Sequence, residues 1–157
     1  MSKQLDAIDC KILDILQTQA DTPLADIAAA VKLSTTPCWR RIQRLREQGF
    51  IARQVALLDA TKVNLGVTVF VAIRTNQHNQ AWFEKFRDSV RGIPEVMELY
   101  RMSGDVDYLM KVVVPDIAAY DRVYQRLIRC VDLSDVSSSF AMEELKNTTA
   151  LPLDYVR

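Results

Sequence analysis

Residues 33–50, LSTTPCWRRIQRLREQGF, set a proline, a cysteine and a tryptophan directly in front of four arginines spread over seven positions. Wound at about 100° per residue, the stretch sorts into faces. Cys38, Ile42 and Leu45 fall together and turn inward, Thr36, Arg40, Gln43 and Glu47 fall opposite, and Trp39 and Arg44 flank the outward face. Ser34 is placed as an N-cap whose hydroxyl can accept from the free N–H groups of the first turn. Pro37 falls within that turn, where it does little harm, and Gly49 follows the last periodic residue as a C-terminal cap does. The stretch therefore reads as a helix with one apolar and one basic face, not as a linker.

Two shorter helices precede it. DAIDCKILDILQTQA (6–20) continues a stripe of Leu5, Ile8, Ile12, Ile15 and Leu16. Asp21-Thr22-Pro23 interrupts it, and PLADIAAAV begins a second helix with Pro23 in its first turn. Lys32-Leu33-Ser34 is the break before the third, and the small side chain of Ala28 permits the second and third helices to cross closely. Three short helices with a tight turn before a basic third are the ingredients of a helix-turn-helix. The chain has 20 basic and 20 acidic residues, so any attraction to nucleic acid must be local. Between Lys32 and Arg53 there are six positive residues against Glu47, an excess of five. Arg40, Arg41, Arg44 and Arg46 can bond phosphate oxygens, and residues near the helix start can reach base edges. Trp39 stands between two roles, covering the edge of the small core or touching DNA; Cys38, facing inward, reads as a core thiol rather than a redox sensor.

After Phe50, IARQVALLDATKVNLG offers a short β-prone run with Ile51, Val55 and Leu57 alternating, then a polar turn region ending at Gly66. Beyond it the texture changes. VTVFVAIRT (67–75) alternates as a strand, AWFEKFRDSVR (81–91) carries Trp82, Phe83, Phe86 and Val90 at helical spacing, and VMELYRMSG (96–104) and DYLMKVVV (107–114) read as strands joined by a Gly-Asp turn. DIAAYDRVYQRLIR (116–129) is a helix capped by Asp116 with a stripe of Ile117, Tyr120, Tyr124, Leu127 and Ile128, and VSSSFAMEEL (136–145) closes with a strand. The order β-α-β-β-α-β is that of a ferredoxin-like sandwich. Its two helices cover one sheet face, and since Val67, Val69, Val71 and Ile73 alternate with Thr68, Phe70, Ala72 and Arg74, and Tyr108, Met110, Val112 and Val114 with Leu109, Lys111 and Val113, both faces contain apolar residues, which calls for a partner sheet supplied by self-association. The fold class is α+β: an N-terminal winged helix-turn-helix (1–50), a hinge strand and linker (51–66) and a C-terminal βαββαβ domain (67–157).

No apolar run approaches the length of a membrane span, and Asp6 and Asp9 stand where a signal peptide would be apolar, so the chain reads as cytoplasmic. Cys10, Cys38 and Cys130 are far apart and lack any CxxC or companion histidine, so no metal site and no cofactor is expected. His78, the single histidine, sits in the polar run TNQHNQ and reads as a solvated loop residue; no nucleophile elbow, phosphate-binding glycine loop or HExxH occurs. SGDVDY (103–108) has ordinary reasons to be a turn. Yet Asp105 and Asp107, with exposed N–H groups and the hydroxyls of Ser137, Ser138 and Ser139, can also hold the ammonium and carboxylate of an amino acid.

With LADIAAAVKLSTTPCWRRIQRLREQGFI followed by VALLD, SGDVDYLMKVVVPDIAAYDRVY and SSSFAMEELKNTTALPL, the chain resembles the Lrp/AsnC family of feast/famine regulators over its full length. Within that family SSFAME followed by TTALPL looks most like cysteine-responsive members. The resemblance implies a transcription regulator that binds double-stranded DNA, forms homodimers that assemble to tetramers, octamers or larger rings, and takes an amino-acid effector, cysteine first among the candidates, at contacts between dimers. It implies effector contacts at Met102, Ser103, Gly104, Asp105 and Asp107 and at Ser138 and Ser139, and a DNA-facing set of Thr36, Trp39, Arg40, Arg41 and Arg44. Ser34 and Thr35 at the helix start and the outward Gln43 complete the expected DNA-reading residues. Two departures stand out: Lys32 occupies a turn position where many relatives carry glycine, and Thr35 or Thr36 stands where a second proline is frequent. The alternative is an enzyme, since haem-pathway decarboxylases share this architecture; such chemistry wants histidine and arginine at a tetrapyrrole site, and the lone His78 argues against it.

Overall fold

The first helix, α1 (Ala7–Thr18), opens on a reciprocal cap in which Asp6 accepts from the Asp9 N–H and Asp9 accepts from the Asp6 N–H. The computed structural model describes residues 5–77 and 79–156, so His78 lies outside the described residues. α2 (Leu24–Ala30) begins after Pro23, which takes the cap position rather than the first turn, and α3 is Thr35–Glu47. Ile12, Ile27, Ala28, Val31, Cys38, Ile42 and Leu45 form the core between the three helices, with Leu5, Ile8 and Ile51 packed at its edge. The inward face expected of α3 is therefore the observed one. Ser34 does stand at the cap, but its side chain makes no capping bond; its carbonyl accepts from Cys38 N at 3.2 Å.

Both inner helices end in the same way. At α3, Gly49 has φ 79°, its N–H bonds Arg46 O and the Phe50 N–H bonds Leu45 O, the paired bonds of a Schellman cap. At α2, Lys32 has φ 56°, its N–H bonds Ala29 O and the Leu33 N–H bonds Ala28 O. The turn between α2 and α3 thus has left-handed geometry at the position where many relatives carry glycine, with a lysine carrying it.

No strand forms between α3 and Val67 among the described residues, so neither the hinge strand nor the wing is present in the single chain. Residues 52–59 have no regular structure and Ala60–Val63 is one 3₁₀ turn. The alternation of Val55 and Leu57 is real, but both side chains are exposed, and a strand needs a neighbour to bond.

The second unit has β1 (Val67–Arg74), α4 (Gln80–Arg91), β2 (Val96–Arg101), β3 (Tyr108–Val114), α5 (Ile117–Cys130) and β4 (Asp135–Phe140). The sheet is antiparallel with order β2-β3-β1-β4, the expected sandwich topology. Val69, Val71, Ile73, Tyr108, Met110 and Val112 face the helices and pack on Trp82, Phe86, Val90, Tyr120, Val123 and Leu127. Asn79 and Asp116 cap α4 and α5 through their side chains. The α5 stripe is corrected: Ile117 and Ile128 are exposed, and Ala119 and Val123 take their places beside Tyr120 and Leu127. β4 stops at Phe140, five residues before its expected end.

The chain divides into two compact units, Met1–Ala56 with Lys146–Arg157, and Leu57–Leu145. The last residues, grouped with the sandwich on sequence grounds, belong to the first unit: the Gln17 side-chain amide donates to Leu151 O at 3.0 Å and accepts from Leu151 N at 2.8 Å. It closes that segment onto α1 as a strand neighbour would.

Candidate functional site

The N-terminal half of α3 is open to solvent. Ser34, Thr35, Thr36, Trp39 and Arg40 are exposed, with Trp39 50% accessible. Trp39 thus lies outside the buried core but half covered, a position compatible both with covering the core edge and with touching DNA. Arg40 makes no hydrogen bond or ion pair among the described residues, so its guanidinium is available to a ligand.

Arg41 and Arg44, expected in the same outward set, are engaged by α1. Arg41 Nη1 bonds Asp6 Oδ2 at 2.5 Å and Asp9 Oδ1 at 2.8 Å, and Arg44 Nη2 bonds Asp9 Oδ2 at 2.5 Å. The Asp9 carboxylate is almost fully buried, so these are strong, charge-assisted contacts that tie the middle of α3 to the start of α1. The Arg41 guanidinium holds the Asp6 carboxyl below its ordinary range, and the two carboxylates in turn raise Arg41. Burial raises the Cys38 thiol, with Arg41 opposing in part, in keeping with a core thiol. Gln43 is half-buried rather than fully outward, and Arg46 donates to Gln54 Oε1 at 2.9 Å.

Asp6 and Asp9 were absent from the expected site. A signal existed: Asp9 lies on the Leu5–Ile8–Ile12–Leu16 stripe, and a carboxylate on an apolar face requires a cation brought to it. The partners are about 32 to 35 residues away in sequence, and no local pattern names them.

The turn between β2 and β3 is stapled to the end of β1. Met102 N–H bonds Asp107 O at 2.8 Å, Asp107 N–H bonds Ile73 O at 3.0 Å, Arg74 Nε donates to Asp105 O at 2.6 Å and Thr75 N–H donates to Asp107 Oδ2 at 2.8 Å. Gly104, at φ 123°, supplies the one conformation in this turn that a side chain resists. Met102, Ser103, Gly104 and Asp105 project into solvent. Asp107 has a structural partner that the sequence does not reveal.

The three serines of β4 do not share a face. Ser137 pairs Ala72 and Ser139 pairs Phe70 on the open side of the sheet, while Ser138 pairs Val71 on the helix side and shares a short hydrogen bond with the Tyr120 hydroxyl. Ser138 is thus turned away from the open sheet face that carries Ser139, as period-two alternation requires. A cavity of about 400 Å³ between α4 and β2 is lined by Phe83, Arg87, Arg91, Leu99, Arg101 and Tyr108 among others, and includes none of the expected effector residues. No cluster of metal-ligating side chains occurs among the described residues, and no helix among them is long and apolar enough to cross a membrane.

An exposed, arginine-bearing third helix set on a three-helix core, followed in the same chain by a βαββαβ sandwich, defines a two-domain regulator with a DNA-reading unit and a ligand-binding unit. The chain belongs to the Lrp/AsnC family of transcription regulators: residues 5–46 match the AsnC-type helix-turn-helix domain and residues 68–151 the Lrp/AsnC ligand binding domain. It is 48% identical over 153 residues to the glutamate uptake regulatory protein of Zymomonas mobilis, covering 98% of this chain and 93% of that protein. It is also 48% identical over 151 residues to the DNA-binding transcriptional activator DecR of Escherichia coli K12, covering 96% and 99%. Among solved structures, an AsnC family regulator from Agrobacterium tumefaciens superposes with TM-score 0.94 at 59% identity, over 98% of this chain and all of that one. A regulator from Neisseria meningitidis in complex with L-Met gives 0.93 at 34% identity, over 98% and 100%. These relatives are regulators, and the decarboxylase alternative finds no support among them.

Proposed function

We propose that this regulator, acting in the cytoplasm, reads DNA with the open half of α3, through Ser34, Thr35, Thr36, Trp39 and Arg40, and that a small amino acid bound at the β2–β3 turn sets its oligomeric arrangement. The observation that carries the first part is that this half-helix is solvent-exposed while Cys38, Ile42 and Leu45 hold its back rigidly in the core. Side chains at a helix start on a rigid base are what the major groove receives.

Support for the second part is the projecting run Met102–Asp105 on a turn fixed at both ends, beside an open sheet face carrying Phe70, Ala72, Leu109, Val113 and Ser139. Within one chain the turn encloses nothing, so a second copy is the natural source of the missing wall. Dimers formed through the sheet and assembled further would complete it, and an effector with different affinity for two assemblies would shift their populations. Cysteine leads the candidate effectors on the likeness of SSFAME and TTALPL to cysteine-responsive members; methionine follows, since the Neisseria regulator is seen with L-Met.

The test selects duplexes from a random pool and compares the wild type with Arg40→Ala on those recovered. Binding should weaken, and the dependence of log affinity on log salt should lose about 0.9 in slope, one phosphate contact. Undiminished binding would remove α3 from the reading surface. Calorimetry against a panel of amino acids, read alongside sedimentation, should find one that binds and changes assembly size; no heat from any would remove the effector role.

A further inference from the structure

We propose that Asp6 and Asp9 are specificity-determining residues of the DNA-reading unit: by holding Arg41 and Arg44 against α1 they withdraw two cations from phosphate, while Arg40, beside Trp39 on the exposed half of α3, stays free to meet DNA. The inference rests on the reading of α3 as the recognition helix.

Its basis is the arrangement of charge around Asp9. That carboxylate is 2% exposed, and it accepts from Arg41, from Arg44 and from the Asp6 backbone. Arg41 is three-quarters covered, whereas Arg44 is 45% exposed and lies at the edge of the outward face. A phosphate would offer Arg44 a negative charge similar to the one it already has. Leaving would strip a buried anion of one of its two cations, and an under-compensated buried charge is costly. The balance therefore favours retention, and both arginines act as struts between helices.

Two consequences follow for DNA. Phosphate contacts are indifferent to sequence, so every cation withheld from the backbone lowers affinity for arbitrary DNA more than it lowers discrimination between bases. The struts also fix the rotation of α3 about its own axis, which decides which side chains of the exposed half reach base edges. An otherwise basic helix is thereby kept from binding DNA indiscriminately, in a chain whose net charge is already zero.

Equilibrium binding to a duplex of arbitrary sequence across a salt series tests this on the full chain. Arg40→Gln should lower the salt slope by about 0.9, while Arg44→Gln should leave it unchanged. Asp6→Asn/Asp9→Asn should raise the slope by up to about 1.8 as two guanidinium groups are released. The same variant should recover DNA of lower sequence information from a random pool. A fall in slope with Arg44→Gln equal to that with Arg40→Gln would overturn the proposal, as would a double variant with wild-type slope and base preference. If the double variant does not fold, the Arg44→Gln slope decides, supported by Asp6→Asn, whose side chain is half exposed and whose asparagine still caps α1. A wild-type chain that binds no duplex would instead sink the reading of α3 itself, a result distinct from any pattern among the variants.

Discussion

Replacing Lys32 with glycine should stabilise the helix-turn-helix unit. Lys32 stands at φ 56°, where the side chain of an L-residue crowds its own backbone at a cost of about 1–2 kcal/mol. Glycine removes that cost but gives the unfolded chain more freedom, worth about 0.4–1 kcal/mol in the opposite direction. The difference leaves a gain of about 0.5–1 kcal/mol. Little else changes: Lys32 is exposed, and the two bonds closing the cap, Lys32 N–H to Ala29 O and Leu33 N–H to Ala28 O, use backbone atoms only. For a unit of this size the thermal midpoint should rise by about 2–8 °C. The assay is thermal unfolding of the full chain with hydrogen exchange at the Leu33 amide, which assigns the change to this turn. Lys32→Ala keeps the strain and should be neutral, whereas Gly49→Ala, at φ 79° with no atom within 4 Å of the added carbon, should lose stability through strain alone. Equal stabilisation by glycine and alanine at position 32 would mean that charge, not backbone, governs the site, and the reasoning would fail.

Asp6 titrates below its ordinary value near 3.8 because Arg41 bonds its carboxylate. A depressed folded value means that the ion pair contributes stability above the unfolded value and loses it as pH falls through the folded one. Urea midpoints of wild type and Asp6→Asn should therefore differ at neutral pH and converge below about pH 3.8. Cys38 should resist iodoacetamide until the unit unfolds, with Cys10 and Cys130, both half-buried, labelled first; mass mapping that finds Cys38 labelled early would contradict its core placement. Asp107→Ala should destabilise the sandwich by about 1–3 kcal/mol with no amino acid present, because Thr75 N–H loses its acceptor. Asp107→Asn, which keeps an acceptor, is the variant whose calorimetry reports on effector binding.

The helices, the alternating strands and the inward face of α3 were legible because each follows from a local period, and the sandwich topology because the elements come in the order β-α-β-β-α-β. The left-handed turn at Lys32 was not legible from the residues, since lysine does not favour that conformation; only the glycine that many relatives carry there pointed to it. Illegible features depend on distant partners. Val55 and Leu57 alternate like a strand, yet alternation cannot supply the neighbour that a strand bonds to. Arg41 and Arg44 look free on a helical wheel, and only the folded chain reveals the carboxylates against them. Ser138 is a different case: period two already separated it from Ser137 and Ser139, and grouping the three by composition overrode a geometric rule that was available. At α5 the stripe was displaced by small residues, since Ala119 and Val123 fill space against the sheet that the larger Ile117 and Ile128 do not enter.

The clasp of Leu151 by Gln17 has a consequence for the order of events in synthesis. The segments that form the three-helix core leave the ribosome first, but the residue that closes against α1 is made after every strand of the sheet. Domains generally fold in the order they emerge. This one reaches its final set of contacts only when the ligand-binding domain has already been translated, so a chain interrupted partway would keep the buried three-helix core but lack the two bonds between Gln17 and Leu151.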